Sequence, residues 1–120
     1  MKKILVVEDN PANLELLTEM LDAWGYQVVQ AVDGADGLAK VESEAPDLVL
    51  LDIQMPVLDG YAVVLKLRND PRFRNLRVIA LTAFAMRGDR EKALSKGFDG
   101  YITKPIDGPV LRNEMNRLLS

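Results

Sequence analysis

The chain has 120 residues, 48% hydrophobic and 28% charged, which suits one globular domain, residues 1–120, with an ordinary core. It holds no cysteine and no histidine, which excludes disulfides, thiolate metal sites, a cysteine nucleophile, histidine general-base chemistry and a phosphohistidine donor. The net charge of -3 argues against a nucleic-acid surface. Neither a signal peptide nor an apolar run of the ~20 residues that a membrane span needs is present, so a cytoplasmic protein is expected.

Ile4-Leu5-Val6-Val7 reads as a buried strand. Leu14, Leu17, Leu21 and Trp24 then recur at helical spacing, with Asn10 as cap, Pro11 in the first turn and Gly25 as terminator. Tyr26 to Gln30 is a second, weaker strand. Gly34 to Ser43 reads as a helix with Leu38 and Val41 inward, broken at Ala45-Pro46. Leu48-Val49-Leu50-Leu51 is a fully apolar strand. Tyr61, Val64, Leu65 and Arg68 mark one side of a third helix that ends near Asp70-Pro71. Val78-Ile79-Ala80-Leu81 is a strand, Met86 to Lys96 a helix closed by Gly97, and Tyr101-Ile102-Thr103 a short strand. Leu111, Met115 and Leu118 stripe the last helix.

Five strands alternating with five helices imply a doubly wound α/β fold, a parallel sheet covered on both faces. The expected strand order is 2-1-3-4-5, the flavodoxin-like arrangement. In such sheets ligands bind outside the carboxyl ends of the strands, where the strand order reverses. The first strand ends in Glu8-Asp9, the third in Asp52, the fourth in Thr82, and the fifth leads into Lys104-Pro105. Only the second strand, at one edge of the sheet, contributes nothing to that set.

Three carboxylates at one sheet end present an electrostatic problem. Two of them ~4 Å apart repel by roughly 4 kcal/mol at an effective dielectric near 20. Lys104 supplies one compensating charge, and a hard, oxygen-seeking dication would balance the rest. Mg²⁺ suits, because it takes one or two carboxylates and phosphate oxygens in its remaining positions. A carboxylate can itself attack phosphorus to give an aspartyl phosphate. Asp52, alone at the end of the central strand, is the best candidate nucleophile. Glu8 and Asp9 are candidate metal ligands, direct or through water. Lys104 would neutralise phosphoryl oxygens and Thr82 would hydrogen-bond one of them. Taken alone, Asp59-Gly60 reads as a turn into the third helix, Arg87, Arg90 and Lys92 as a solvated face, and Trp24 as core.

Val7-Glu8-Asp9-Asn10, Leu51-Asp52-Ile53-Gln54-Met55-Pro56, Asp59-Gly60, Leu81-Thr82-Ala83 and Tyr101-Ile102-Thr103-Lys104-Pro105 together resemble a response-regulator receiver domain, over essentially the whole chain and in order. The resemblance implies phosphorylation from a histidine kinase or histidine phosphotransferase, with Mg²⁺ held by Asp9, Asp52 and the Gln54 backbone carbonyl. It implies a cis Lys104-Pro105 bond, movement of Thr82 toward the phosphoryl group, and inward rotation of Tyr101. The face formed by helix four, strand five and helix five would then change shape and signal to a protein target. On this reading the chain is a phosphoacceptor that promotes its own phosphorylation and dephosphorylation, not an enzyme with a separate substrate. Leu81 to Asp89 is further similar to single-domain cell-fate regulators of alphaproteobacteria and to receivers of hybrid kinases. Phe98 stands where many receivers have a small residue. Because the chain ends soon after its last helix, output by protein–protein contact is expected, without an attached DNA-binding domain.

Three other functions compete. A Mg²⁺-dependent aspartyl-phosphate phosphatase would carry a second acid two residues beyond the nucleophile, where this chain has Gln54, which cannot transfer a proton. A flavin module would need a small-residue phosphate loop after the first strand, where Glu8-Asp9-Asn10-Pro11 is acidic. A degenerate receiver acting as a scaffold would lack part of the set Glu8, Asp9, Asp52, Thr82 and Lys104, which is complete.

Overall fold

A computed structural model describes residues 1–56, 58–83 and 86–120. Phe84 and Ala85, within the segment that is similar to cell-fate regulators, lie outside the described residues. The chain alternates β1 (Lys3–Val7), α1 (Pro11–Ala23), β2 (Gln27–Ala31), α2 (Gly34–Glu44), β3 (Leu48–Asp52), α3 (Gly60–Asn69), β4 (Arg77–Thr82), α4 (Asp89–Ser95), β5 (Gly100–Thr103) and α5 (Gly108–Leu119). All pairings are parallel and the strand order is β2-β1-β3-β4-β5, so the expected flavodoxin-like α/β architecture is present.

The two-residue period of the strands divides the core. Ile4 and Val6 of β1, Leu48 and Leu50 of β3, and Ile79 and Leu81 of β4 pack with Leu14, Leu17 and Leu21 of α1 and Leu111 and Met115 of α5. The alternate residues, Leu5 and Val7, Val49 and Leu51, Val78 and Ala80, face Val41 of α2, Val63, Val64 and Leu67 of α3 and Ala93 of α4. Strands apolar at every position are therefore strands buried on both faces.

Helix starts follow local chemistry. Asn10, Asp33, Asp59 and Asp107 each accept a hydrogen bond from the backbone N–H three residues on, at 3.1, 2.7, 2.9 and 3.2 Å, and so cap α1, α2, α3 and α5. The break after α2 falls on Ala45, which takes a left-handed conformation at φ 48° before Pro46.

Four local expectations differ from the structure. The fourth helix starts at Asp89 rather than Met86, because Gly88 turns left-handed at φ 87° and the Asp89 carboxylate accepts from the Met86 N–H at 2.7 Å, closing a turn first. The second strand runs one residue later than Tyr26–Gln30. Leu65 is exposed, and the buried stripe of α3 is Gly60, Val63, Val64 and Leu67. Trp24 is half-buried against the α1–α5 cluster, with the Arg112 guanidinium 5.3 Å from its ring. Phe98 is buried, with its ring edge-on to Tyr61 at 5.9 Å, so the larger side chain fills space beneath α3. Among the described residues no helix is long and apolar enough to cross a membrane.

Candidate functional site

Strand register sets the site. Val7 lies opposite Leu51, so the next residues on neighbouring strands are Glu8 and Asp52. Asp52 lies opposite Leu81, which brings Thr82 one step beyond it, and Thr82 lies opposite Thr103, which brings up Lys104. Backbone bonds fix these ends: Ile53 N–H donates to the Leu81 carbonyl at 2.9 Å and Lys104 N–H to the Thr82 carbonyl at 2.7 Å. The Lys104-Pro105 bond is cis.

Carboxylate oxygens of Glu8, Asp9 and Asp52 lie within 4.8 Å of one another. Glu8 is fully buried and Asp52 nearly so, while Asp9 is exposed at the rim. The Lys104 ammonium bridges the buried pair, 2.5 Å from Glu8 Oε1 and 3.2 Å from Asp52 Oδ2. The second Asp52 oxygen, Oδ1, accepts the Gln54 N–H at 2.9 Å. Glu8 Oε2 is buried without a hydrogen-bond partner. An orphaned carboxylate oxygen beside two further carboxylates is a donor set that fits a hard dication.

Burial pushes the Asp52 carboxyl up, the neighbouring Glu8 pushes it further, and Lys104 offsets only part, leaving it at about 7. Burial pushes Glu8 up as well, but its hydrogen bonds to Asp52 and Lys104 outweigh that and hold it below the ordinary range. The two carboxyls thus divide one proton unequally, as a close pair in a low-dielectric site must. Burial draws the Lys104 ammonium down, yet Glu8 and Asp52 raise it on balance, so it stays charged.

Thr82 is buried, and its hydroxyl oxygen accepts from Gln54 Nε2 at 2.6 Å. Tyr101 is turned inward, and its phenol oxygen has no hydrogen-bond partner. Ile53, Gln54, Tyr61, Thr82, Asp89, Lys92 and Tyr101 line a cavity of about 120 Å³ beside the acidic group.

The structure therefore gathers Glu8, Asp9, Asp52, Thr82 and Lys104 at one sheet end. Two contributions escaped the sequence reading. The Gln54 side chain joins the third strand end to the fourth, a contact across 28 positions that no local pattern signals. Gly60 also does more than turn the chain. A Cβ there would lie 2.7 Å from the Asp52 carbonyl oxygen and 2.8 Å from Ile53 Cα, so the start of α3 packs directly on the Asp52 backbone. Its helix-opening place was the one available signal. Gly60→Ala is expected to destabilise the protein by about 1–3 kcal/mol, since backbone must yield. Urea denaturation measures this, and an unchanged midpoint would show that the loop absorbs the methyl group.

A family model described as a response regulator receiver domain matches residues 4–116. The chain belongs to the response-regulator receiver family. It is 40% identical over 108 residues to the polar-differentiation response regulator DivK of Brucella anthropi, covering 90% of this chain and 88% of that protein. The receiver domain of a signal transduction histidine kinase from Syntrophus aciditrophicus superposes with a TM-score of 0.90 at 36% identity, covering 99% of this chain and 90% of that one. The receiver domain of a sensor histidine kinase from Pseudomonas aeruginosa, solved with a magnesium ion coordinated in its active-site cleft, gives 0.90 at 37% identity and covers 98% and 97%. As a receiver, the chain is a component of two-component signalling, a phosphoacceptor rather than a conventional enzyme, and its acidic pocket is Glu8, Asp9 and Asp52.

Proposed function

We propose that the protein is a phosphorylation switch of a phosphorelay that accepts a phosphoryl group on Asp52 with Mg²⁺. The observation that carries this reading is the convergence of three carboxylates within 4.8 Å with Lys104 bridging the buried two. A solvated acidic rim would not bury Glu8 and Asp52 with a shared cation.

Asp9, Asp52 and the Gln54 backbone carbonyl would hold Mg²⁺, with Glu8 contributing directly or through water. The ion, when bound, supplies charge neutralisation to the incoming phosphoryl oxygens. The protein residues divide the remaining work. One Asp52 carboxylate oxygen attacks phosphorus in line; the phosphorus–oxygen or phosphorus–nitrogen bond to the donor breaks and the donor leaves with that electron pair. Lys104 exchanges part of its pairing with Asp52 for a phosphoryl oxygen. Thr82 donates to another, and Tyr101, which is already turned inward before any phosphorylation, repacks against the shifted Thr82, reshaping the α4-β5-α5 face.

The donor would be a sensor histidine kinase or a histidine phosphotransferase; receivers of histidine kinases superpose closely on this chain. Output would pass to a protein target at α4-β5-α5, in the cytoplasm, without direct contact with nucleic acid or membrane. The net charge of -3 supports the absence of a nucleic-acid surface. The phosphatase alternative is disfavoured because Gln54 spends its amide on Thr82 and cannot act as an acid.

Beryllofluoride, which stands in for the phosphoryl group on a carboxylate, provides the test of the switch. With Mg²⁺ it should move the amide resonances of β5 and of the described part of the β4–α4 region, and do nothing in EDTA. Spectra that respond only at Asp52 and its immediate neighbours would sink the reading of α4-β5-α5 as the output face.

A further inference from the structure

The Gln54 side chain spans two loops with both ends of its amide. Nε2 donates to Thr82 Oγ1 at 2.6 Å, and Oε1 accepts the Ala83 N–H at 3.2 Å. The orientation of the amide is dictated by chemistry, because a backbone N–H can only donate and so requires the oxygen end. One residue thus ties the Asp52 loop to Thr82 and Ala83, while its own N–H holds Asp52 Oδ1 at 2.9 Å. Gln54 is itself exposed, so burial does not demand this pairing.

From this geometry we infer that Gln54 is a latch, a positioning residue that holds Thr82 in the resting state and must release it before Thr82 can reach a phosphoryl group on Asp52. The inference rests on the proposed function and adds its regulation. Thr82 Oγ1 accepts from Gln54 Nε2 at 2.6 Å, so a shift of that hydroxyl toward a phosphoryl oxygen on Asp52 stretches this contact and weakens it steeply. The hydrogen bond to Ala83 extends the hold to the backbone that leads toward α4, so latch release and β4–α4 rearrangement are one event. The same N–H that contacts Asp52 puts the latch where a change at that carboxylate is felt first.

Gln54→Met keeps the length of the side chain and removes both bonds. Amide spectra of the Mg²⁺-loaded, unphosphorylated protein should show Ala83 and Tyr101 displaced along the line toward their beryllofluoride positions. The active-like population should rise about five-fold, the effect of one net hydrogen bond. Gln54→Asn, whose amide is one carbon too short to span the gap, should do the same. In a Thr82→Ala background Gln54→Met should add no further displacement at Tyr101, since the latch reaches that residue through the Thr82 hydroxyl, whereas Ala83 still loses its own bond to Gln54.

Resonances of Gln54→Met that stay at their wild-type positions, while beryllofluoride still moves both proteins, would overturn the latch and leave the switch intact. A displacement of Tyr101 that persists in the Thr82→Ala background would overturn it too. A wild-type protein silent to beryllofluoride would instead overturn the switch, and the latch with it.

Discussion

Lys104→Met is expected to destabilise the metal-free protein by about 3–5 kcal/mol, the usual effect of stranding buried charge. Both ion pairs of the buried carboxylates use this one ammonium, 2.5 Å from Glu8 and 3.2 Å from Asp52. Glu8 is fully buried and already has one oxygen without a partner, so removing Lys104 takes the paired cation from the other. Methionine matches the aliphatic stem, which separates loss of charge from loss of packing. Mg²⁺ should return much of the lost stability, because a dication replaces the missing charge. Urea denaturation in EDTA and in Mg²⁺ measures both quantities. A loss of the same size in the two conditions would show that Lys104 acts by packing rather than by charge.

Asp52→Asn is expected to stabilise the metal-free protein at neutral pH, by a few kcal/mol at most. Burial, and after it the Glu8 charge, raises the Asp52 carboxyl from an ordinary 3.8 to about 7 in the folded state. The folded form therefore binds this proton more tightly than the unfolded chain does. Its favourable contribution is present below about pH 4, fades as the pH rises toward about 7, and above that ionised Asp52 opposes folding. Glu8 has the opposite sign: held low, it stabilises above its unfolded value and loses that contribution as the pH falls. The wild-type slope is the difference of the two, whereas asparagine removes the Asp52 part. The gap between the proteins should accordingly open between about pH 4 and 7 and shrink when Mg²⁺ is added. Thermal midpoints across that range record it. A variant less stable than wild type in EDTA at neutral pH would mean that the Lys104 pairing outweighs burial and Glu8 at this position.

Much of this architecture is legible in the residues. Strands such as Ile4–Val7 and Leu48–Leu51 are apolar at every position because both faces are covered, so their runs need no tertiary knowledge to be seen. The acidic group follows from that, since the residue after each run must reach the same sheet end. The less legible features depend on contacts distant in sequence or on one backbone angle. Gly88 at φ 87° shortens α4 from within a stretch of helical composition. Leu65 breaks the apolar stripe of α3 by facing solvent, and Val63 takes the inward place. Gln54 reads locally as a residue that is not an acid; only the fold brings its amide to Thr82 and Ala83. Gly60 reads as a turn, and only the fold shows that the Asp52 carbonyl occupies the space of its missing side chain.

The central claim is that Asp52 takes the phosphoryl group, and intact-mass spectrometry after incubation with acetyl phosphate tests it most directly. With Mg²⁺ the wild type should gain the mass of one phosphoryl group, stable to acid and released by hydroxylamine, as an acyl phosphate is. Asp52→Asn, and wild type in EDTA, should gain none. Equal labelling of wild type and Asp52→Asn would contradict the account, since the acceptor would then be another residue.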